Sequence, residues 1–136
     1  MIFEPDMDKL RILIVDDIFT NRFLIKEIIS DIGYLIEEAV DGKQALEFFT
    51  RDSFDVILMD IEMPIMNGIE TTQYIRRHFD PPKCDVPIIA LTAHNPILFF
   101  EDYSDVGFSQ IITKPYSLSK IKSTIDRVWE RRQKSI

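Results

Sequence analysis

Short, almost purely apolar runs alternating with helical periodicity constrain this chain more than any other feature. Arg11–Val15 (RILIV), 56–59 (VILM), 87–91 (PIIAL) and Gln110–Thr113 (QIIT) are too short for buried helices and lack the alternation of a strand with one wet face. They suit parallel strands covered on both sides. Leu35–Ala39 is a fifth candidate, marked as half-exposed by Glu37 and Glu38.

Helical patterns fill the gaps. One covers about 20–32, with Leu24, Ile25, Ile28, Ile29 and Ile32 apolar; others cover about 43–49, opened by a cap at Asp41, and about 69–77. Asn95-Pro96 starts a fourth over 97–105, with Gly107 as its stop. The last, about 118–132, carries a stripe of Leu118, Ile121, Ile125, Val128 and Trp129. Parallel neighbours need right-handed crossovers, so the pattern predicts an α/β fold, a doubly wound five-stranded parallel sheet; of the orders open to such a sheet, we choose 2-1-3-4-5. The 136 residues suit one domain, with a core of about 10–132 and short tails that leave no room for an output domain.

In an open parallel sheet, ligands bind beyond the carboxyl ends of the strands, near the switch in strand order. The residues that end the apolar runs should therefore converge. They are Asp16 and Asp17 after the first, Asp60 after the third, Thr92 after the fourth and Lys114, followed by Pro115, after the fifth. Any one of them alone is equally well explained as a cap, a turn or a solvated charge. Together, four strand ends supply one chemistry. Crowded carboxylates resist joint ionisation unless a hard divalent cation sits between them, and magnesium, with manganese as an alternative, is the natural guest. One carboxylate can then attack phosphorus while Lys114 and Thr92 hold oxygens of the transferring group.

The net charge of −7 excludes a surface built to neutralise nucleic-acid phosphates. The basic residues Arg127, Arg131, Arg132 and Lys134 suit the carboxyl end of the last helix. Cys84 is the only cysteine, so an internal disulfide is excluded and a reducing cytoplasm is the expected compartment. Met1 to Asp6 lack the basic start and apolar stretch of a signal peptide, and no apolar run is long enough to span a membrane.

The segments Ile14-Val15-Asp16-Asp17, Met59-Asp60-Ile61-Glu62-Met63-Pro64-Ile65-Met66-Asn67-Gly68, Ala90-Leu91-Thr92-Ala93 and Lys114-Pro115 resemble two-component response-regulator receiver domains over roughly residues 10–128. The resemblance implies the flavodoxin-like receiver fold and a signalling domain that catalyses its own phosphorylation and dephosphorylation, rather than an enzyme acting on a separate substrate. It makes Asp60 the phosphoacceptor, lets Asp16, Asp17, Asp60 and the backbone carbonyl of Glu62 hold magnesium, and sets Thr92 and Lys114 on the phosphoryl group. A sensor histidine kinase or histidine phosphotransfer protein would be the donor. Asn21-Arg22 and the phrase around residues 63–76 are most similar to receivers of hybrid kinases and phosphorelays.

The chain departs from that pattern at Ile111, where the family commonly has an aromatic switch residue three positions before the lysine. Glu62 and His94, each two residues beyond a site residue, occupy positions that in the family flank the attacking water, and so should modulate phosphoryl lifetime. The fourth helix holds Phe99, Tyr103 and Val106 in one stripe, with Ile97, Leu98 and Phe100 spread around it. That excess, with Ile111 and Tyr116, marks a partner surface or homodimer contact at the fourth helix, fifth strand and fifth helix; a well-packed core explains it equally well.

Three other readings compete. A receiver that binds partners without phosphorylation is favoured by Ile111 and opposed by the intact five-residue site. A haloacid-dehalogenase-like phosphatase needs its nucleophile after the first strand in an Asp-x-Asp pattern, and this chain places its isolated acceptor after the third. A flavodoxin-like flavin protein needs a phosphate cradle where Asp16-Asp17-Ile18-Phe19 would repel phosphate.

Overall fold

The computed structural model describes residues 9–93 and 95–135. Five parallel strands, β1 (Arg11–Val15), β2 (Leu35–Ala39), β3 (Val56–Asp60), β4 (Ile88–Thr92) and β5 (Gln110–Thr113), form one sheet in the expected order β2-β1-β3-β4-β5. Helices α1 (Phe19–Ser30), α2 (Gly42–Arg51), α3 (Gly68–His78), α4 (Pro96–Tyr103) and α5 (Leu118–Ser135) alternate with them, and a 3-10 turn at Lys83–Asp85 precedes β4.

The uninterrupted apolar runs follow from a sheet covered on both faces. Ile12, Ile14, Leu58, Ile89, Leu91 and Ile112 pack against Ile25 and Ile29 of α1 and Ile121, Ile125 and Val128 of α5. Their neighbours Leu13, Val15, Ile57, Met59 and Ile88 point the other way, onto Ala45 and Phe49 of α2 and Ile75 of α3. Ile61, Ala90, Phe99 and Ile111 make a smaller cluster under α4. Burial of each such aliphatic side chain stabilises the fold by about 1.5–3 kcal/mol before entropy is counted. β2 lies at the edge and leaves Glu37 exposed, as its sequence implies.

Several boundaries and faces differ from expectation for physical reasons. β3 and β4 run one residue past their apolar stretches, because the ladder continues through Asp60 opposite Leu91 and Thr92 opposite Thr113. Both residues therefore sit on the last rung of the sheet instead of in loops. α1 ends at Ser30, short of residue 32, and Gly33 at φ 94° turns the chain toward β2. Leu24 and Leu118, read as part of buried stripes, are 50% and 49% exposed, since Ile25 and Ile29 in α1 and Ile121 and Ile125 in α5 take the faces toward the sheet.

At the sheet's carboxyl edge, the starts of α2, α3 and α4 are capped by side chains, whereas α1, with Ile18 at its N-cap, is not. Asp41 accepts from the Gln44 amide at 2.8 Å. Asn67 and Glu70 form a reciprocal capping box at α3, and Asn95 accepts from the Ile97 amide at 2.9 Å. Among the described residues, no helix is long and apolar enough to cross a membrane.

Candidate functional site: an acidic cleft at the carboxyl edge of the sheet

β1, β3, β4 and β5 bring Asp16, Asp60, Thr92 and Lys114 to one edge of the sheet, and the turn after β1 adds Asp17. Asp16 and Asp60 are 0% and 4% exposed. One carboxylate oxygen from each of Asp16, Asp17 and Asp60 lies within 4.8 Å of the others. Lys114 Nζ donates to Asp60 Oδ1 at 3.1 Å, and the Lys114 amide donates to the Thr92 carbonyl at 2.8 Å, which holds the ends of β4 and β5 side by side. Thr92 itself is buried. Of the sequence-expected site, these five residues assemble.

The loop after β3 is shaped around the acceptor position. The Gly68 amide donates to the Ile61 carbonyl at 3.0 Å, and a Cβ at residue 68 would overlap the Asp60 carbonyl oxygen. Only glycine lets α3 start this close to the end of β3. Within the loop Ile65 adopts φ 70°, a left-handed conformation costly for a β-branched residue, and is 79% exposed.

Burial raises the Asp60 carboxyl to about 6; the neighbouring Asp16 charge adds to the rise, and the Lys114 hydrogen bond opposes it. Asp16 is also raised by burial, against the pull of the Ile18 amide, which donates to its Oδ1 at 2.9 Å. Asp16 Oδ2 is buried without a hydrogen-bond partner. A buried carboxylate oxygen with no donor, in a cluster with two further carboxylates, is the donor set a hard divalent cation satisfies, so these residues fit magnesium.

The residues expected to modulate or transmit lie around this core. Glu62 is exposed and lines a groove of about 500 Å³ with Met63, Pro64, Asn67, Ile69 and Tyr103. His94 and Met1 to Asp6 lie outside the described residues, as does the side chain of Phe100. Ile111 and Phe99 are buried together under α4, with the Tyr103 ring 5.0 Å from that of Phe99. Tyr116 lies on the opposite side of the sheet, packed against the α1 and α5 core, with its hydroxyl buried. Burial, reinforced by the charges of Asp16 and Asp60, pushes that phenol up. Among the described side chains, the apolar ones that α4 exposes are instead Ile97 and Leu98, at 70% and 58%.

Sequence reading missed a second apolar surface, on α1. Ile18, Phe19, Phe23 and Leu24 are 49–65% exposed, and the Phe19 and Phe23 rings stack at 6.1 Å. The available signal was an excess of apolar residues over what one helix face can bury, the same signal that singled out α4.

Comparison with known proteins agrees with this geometry. Residues 12–126 match the family model described as response regulator receiver domain. The aerobic respiration control sensor protein ArcB of Escherichia coli is 30% identical over 130 residues, which cover 93% of this chain and 16% of ArcB. The chain thus spans about a sixth of that relative. Among solved structures, the receiver domain of the sensor histidine kinase PA1611 from Pseudomonas aeruginosa, with a magnesium ion coordinated in its active site cleft, superposes with a TM-score of 0.80 at 29% identity, covering 90% of this chain and 98% of that one. TrrA from Thermotoga maritima, in complex with magnesium and BeF, gives a TM-score of 0.77 at 33% identity, covering 88% and 98%. With its sheet order, acidic cleft and family match in agreement, this chain belongs to the response regulator receiver family, the phosphoacceptor signalling modules of two-component systems.

Proposed function

We propose that Asp60 accepts a phosphoryl group from a phosphohistidine donor, a sensor histidine kinase or a histidine phosphotransfer protein, and that the resulting charge at the cleft changes how α4 meets a partner. The observation that carries this reading is the buried Asp60 carboxylate at the end of β3, paired with Lys114 at 3.1 Å and crowded by Asp16 and Asp17.

An Asp60 carboxylate oxygen attacks phosphorus; the bond from phosphorus to the donor imidazole nitrogen breaks, and its electron pair stays on that nitrogen. Lys114 is placed to neutralise charge on the transferring oxygens, and the Thr92 hydroxyl to donate to one of them. Asp16, Asp17, Asp60 and the Glu62 main-chain carbonyl would hold magnesium, whose charge offsets that of the carboxylates and of the phosphoryl oxygens. Glu62 and His94 then set how fast water removes the group. The exposed apolar residues of α1, beside Asp17, suit the contact with the donor. Ile97 and Leu98, above the cluster that contains Ile111, suit the contact with a downstream protein or a second copy. We place this chemistry in the cytoplasm.

The test is intact mass after incubation with acetyl phosphate. A single phosphate adduct that needs both magnesium and Asp60, and is lost in Asp60→Asn, is expected. No adduct, where a control receiver is labelled, would replace this reading with a receiver that works by binding alone.

A further inference from the structure

Asn21-Arg22 stands out in the sequence, and both residues lie against Asp16 of the carboxylate cluster. Their surroundings explain why they are there. The Asp16 amide donates to the Ala39 carbonyl at 3.1 Å. Its carbonyl accepts from Arg22 Nη1 at 2.8 Å. Its Oδ1 accepts from the Ile18 amide, and the Asn21 amide lies beside the carboxylate and favours its charged form. Every polar atom of Asp16 is thereby held except Oδ2, which is buried without a hydrogen-bond partner.

Arg22 is not a solvated helix residue that happens to touch this loop. Its side chain is 11% exposed, its Nε pairs with Glu38 Oε1 on β2 at 3.3 Å, and its guanidinium lies over the Phe19 ring at 5.7 Å. Glu38 also takes Lys26 Nζ at 3.4 Å, so the carboxylate that anchors Arg22 is itself tied to α1. The guanidinium fork can join the β2 carboxylate and the Asp16 carbonyl together; a lysine ammonium, a single point on a flexible stem, cannot.

We infer that Arg22 is a positioning residue of the cation site: anchored by Glu38, it fixes the Asp16 backbone so that the carboxylate presents one oxygen, already oriented, to a divalent cation. The inference rests on the proposed reading that Asp16, Asp17 and Asp60 hold such a cation. Groups that orient a ligand from behind commonly change metal affinity by about 10–100-fold when removed.

The experiment is titration of free Mn2+ by electron paramagnetic resonance on wild type, Arg22→Met, Arg22→Lys and Glu38→Gln. Thermal melting of each is recorded without cation, together with the 15N shift of the Asp17 amide, whose peptide group carries the Asp16 carbonyl. We expect Kd for Mn2+ to rise about tenfold in Arg22→Met, nearly as much in Arg22→Lys and about threefold in Glu38→Gln, with a shifted Asp17 resonance in all three. If Arg22→Met does not fold, Arg22→Lys and Glu38→Gln decide the matter. Variants that melt earlier but bind Mn2+ as wild type does would make Arg22 a structural anchor only and overturn the inference. Absence of saturable Mn2+ binding by wild type would overturn the cation site itself, and the role of Arg22 with it.

Discussion

The two ends of the sheet treat charged groups in opposite ways. At the amino end, the half-buried Arg76 guanidinium donates four hydrogen bonds, at 2.6–3.0 Å, to the carbonyls of Gly107, Cys84 and Val86. Asp55 caps the Arg11 amide at 2.7 Å, and Ser109 caps the Ile88 amide at 3.0 Å. At the carboxyl end, carboxylates are crowded, Asp16 Oδ2 and the Tyr116 hydroxyl are buried without a hydrogen-bond partner, and Ile65 holds a costly backbone conformation. The exposed apolar side chains divide in the same way. Among the described residues, Ile18, Phe19, Phe23, Leu24, Val40, Ile65, Ile97, Leu98 and Leu118 follow carboxyl ends of strands, in the loops or the first two turns of the next helix; Tyr74, 40% exposed and stacked on His78 in the second half of α3, is the exception. A polar group whose partners all lie within the fold serves stability, whereas one left wanting a partner is available to a ligand.

That contrast makes its largest prediction at the amino end. Arg76→Ala strands buried carbonyls and should lower the unfolding free energy by about 3 kcal/mol or more in urea titration. A loss well under about 1 kcal/mol would mean that this end is held by something else.

At the carboxyl end the sign reverses, because charge there opposes folding. Asp60 rises from 3.8 when unfolded to about 6 when folded, so the folded state holds its proton more tightly. The stability this confers is complete below about pH 4 and is lost as pH rises through 6. The difference corresponds to about 2–3 kcal/mol. Without divalent cation, Asp60→Asn should remove this pH-dependent loss and melt above wild type at pH 7.5, and magnesium should close the gap by stabilising wild type only. Equal pH profiles for the two proteins would show that ionising the buried Asp60 costs the fold nothing.

Gly68→Ala tests the close approach that shapes the cleft. The added methyl group meets the Asp60 carbonyl, so we expect a loss of about 1–3 kcal/mol and weaker labelling by acetyl phosphate in the same sample. Unchanged stability would mean that α3 can retreat without consequence.

The smallest expected effect is on the apolar rim. Phe19→Ser and Ile97→Ser should each leave stability within about 0.5 kcal/mol in urea titration, because neither side chain is buried. A loss above about 1 kcal/mol for either would assign that residue to the core instead of the surface.

How much of this was legible beforehand depended on distance along the chain. A strand-ending aspartate, threonine or lysine announces itself beside its own apolar run, so the strands and the five-residue constellation could be read directly, whereas the strand order was a choice that the sheet then matched. Four residues proposed as one transmitting surface could not be placed that way, since Ile111, Phe99 and Tyr103 lie on one side of the sheet and Tyr116 on the other. Periodicity likewise put Leu24 and Leu118 in the core, though each helix had better-aligned residues for that face.

The sequence by itself determined which segments become buried strands and which chemical groups stand at their ends, because both follow from local apolar pattern and from the fixed geometry of parallel crossovers. Tertiary structure alone decided that Arg22 reaches Asp16 and Glu38, that Arg76 closes the amino end, and which apolar residues remain exposed. Those outcomes depend on helix rotation and on contacts such as Arg76 with Gly107, 31 residues apart, which no local pattern encodes.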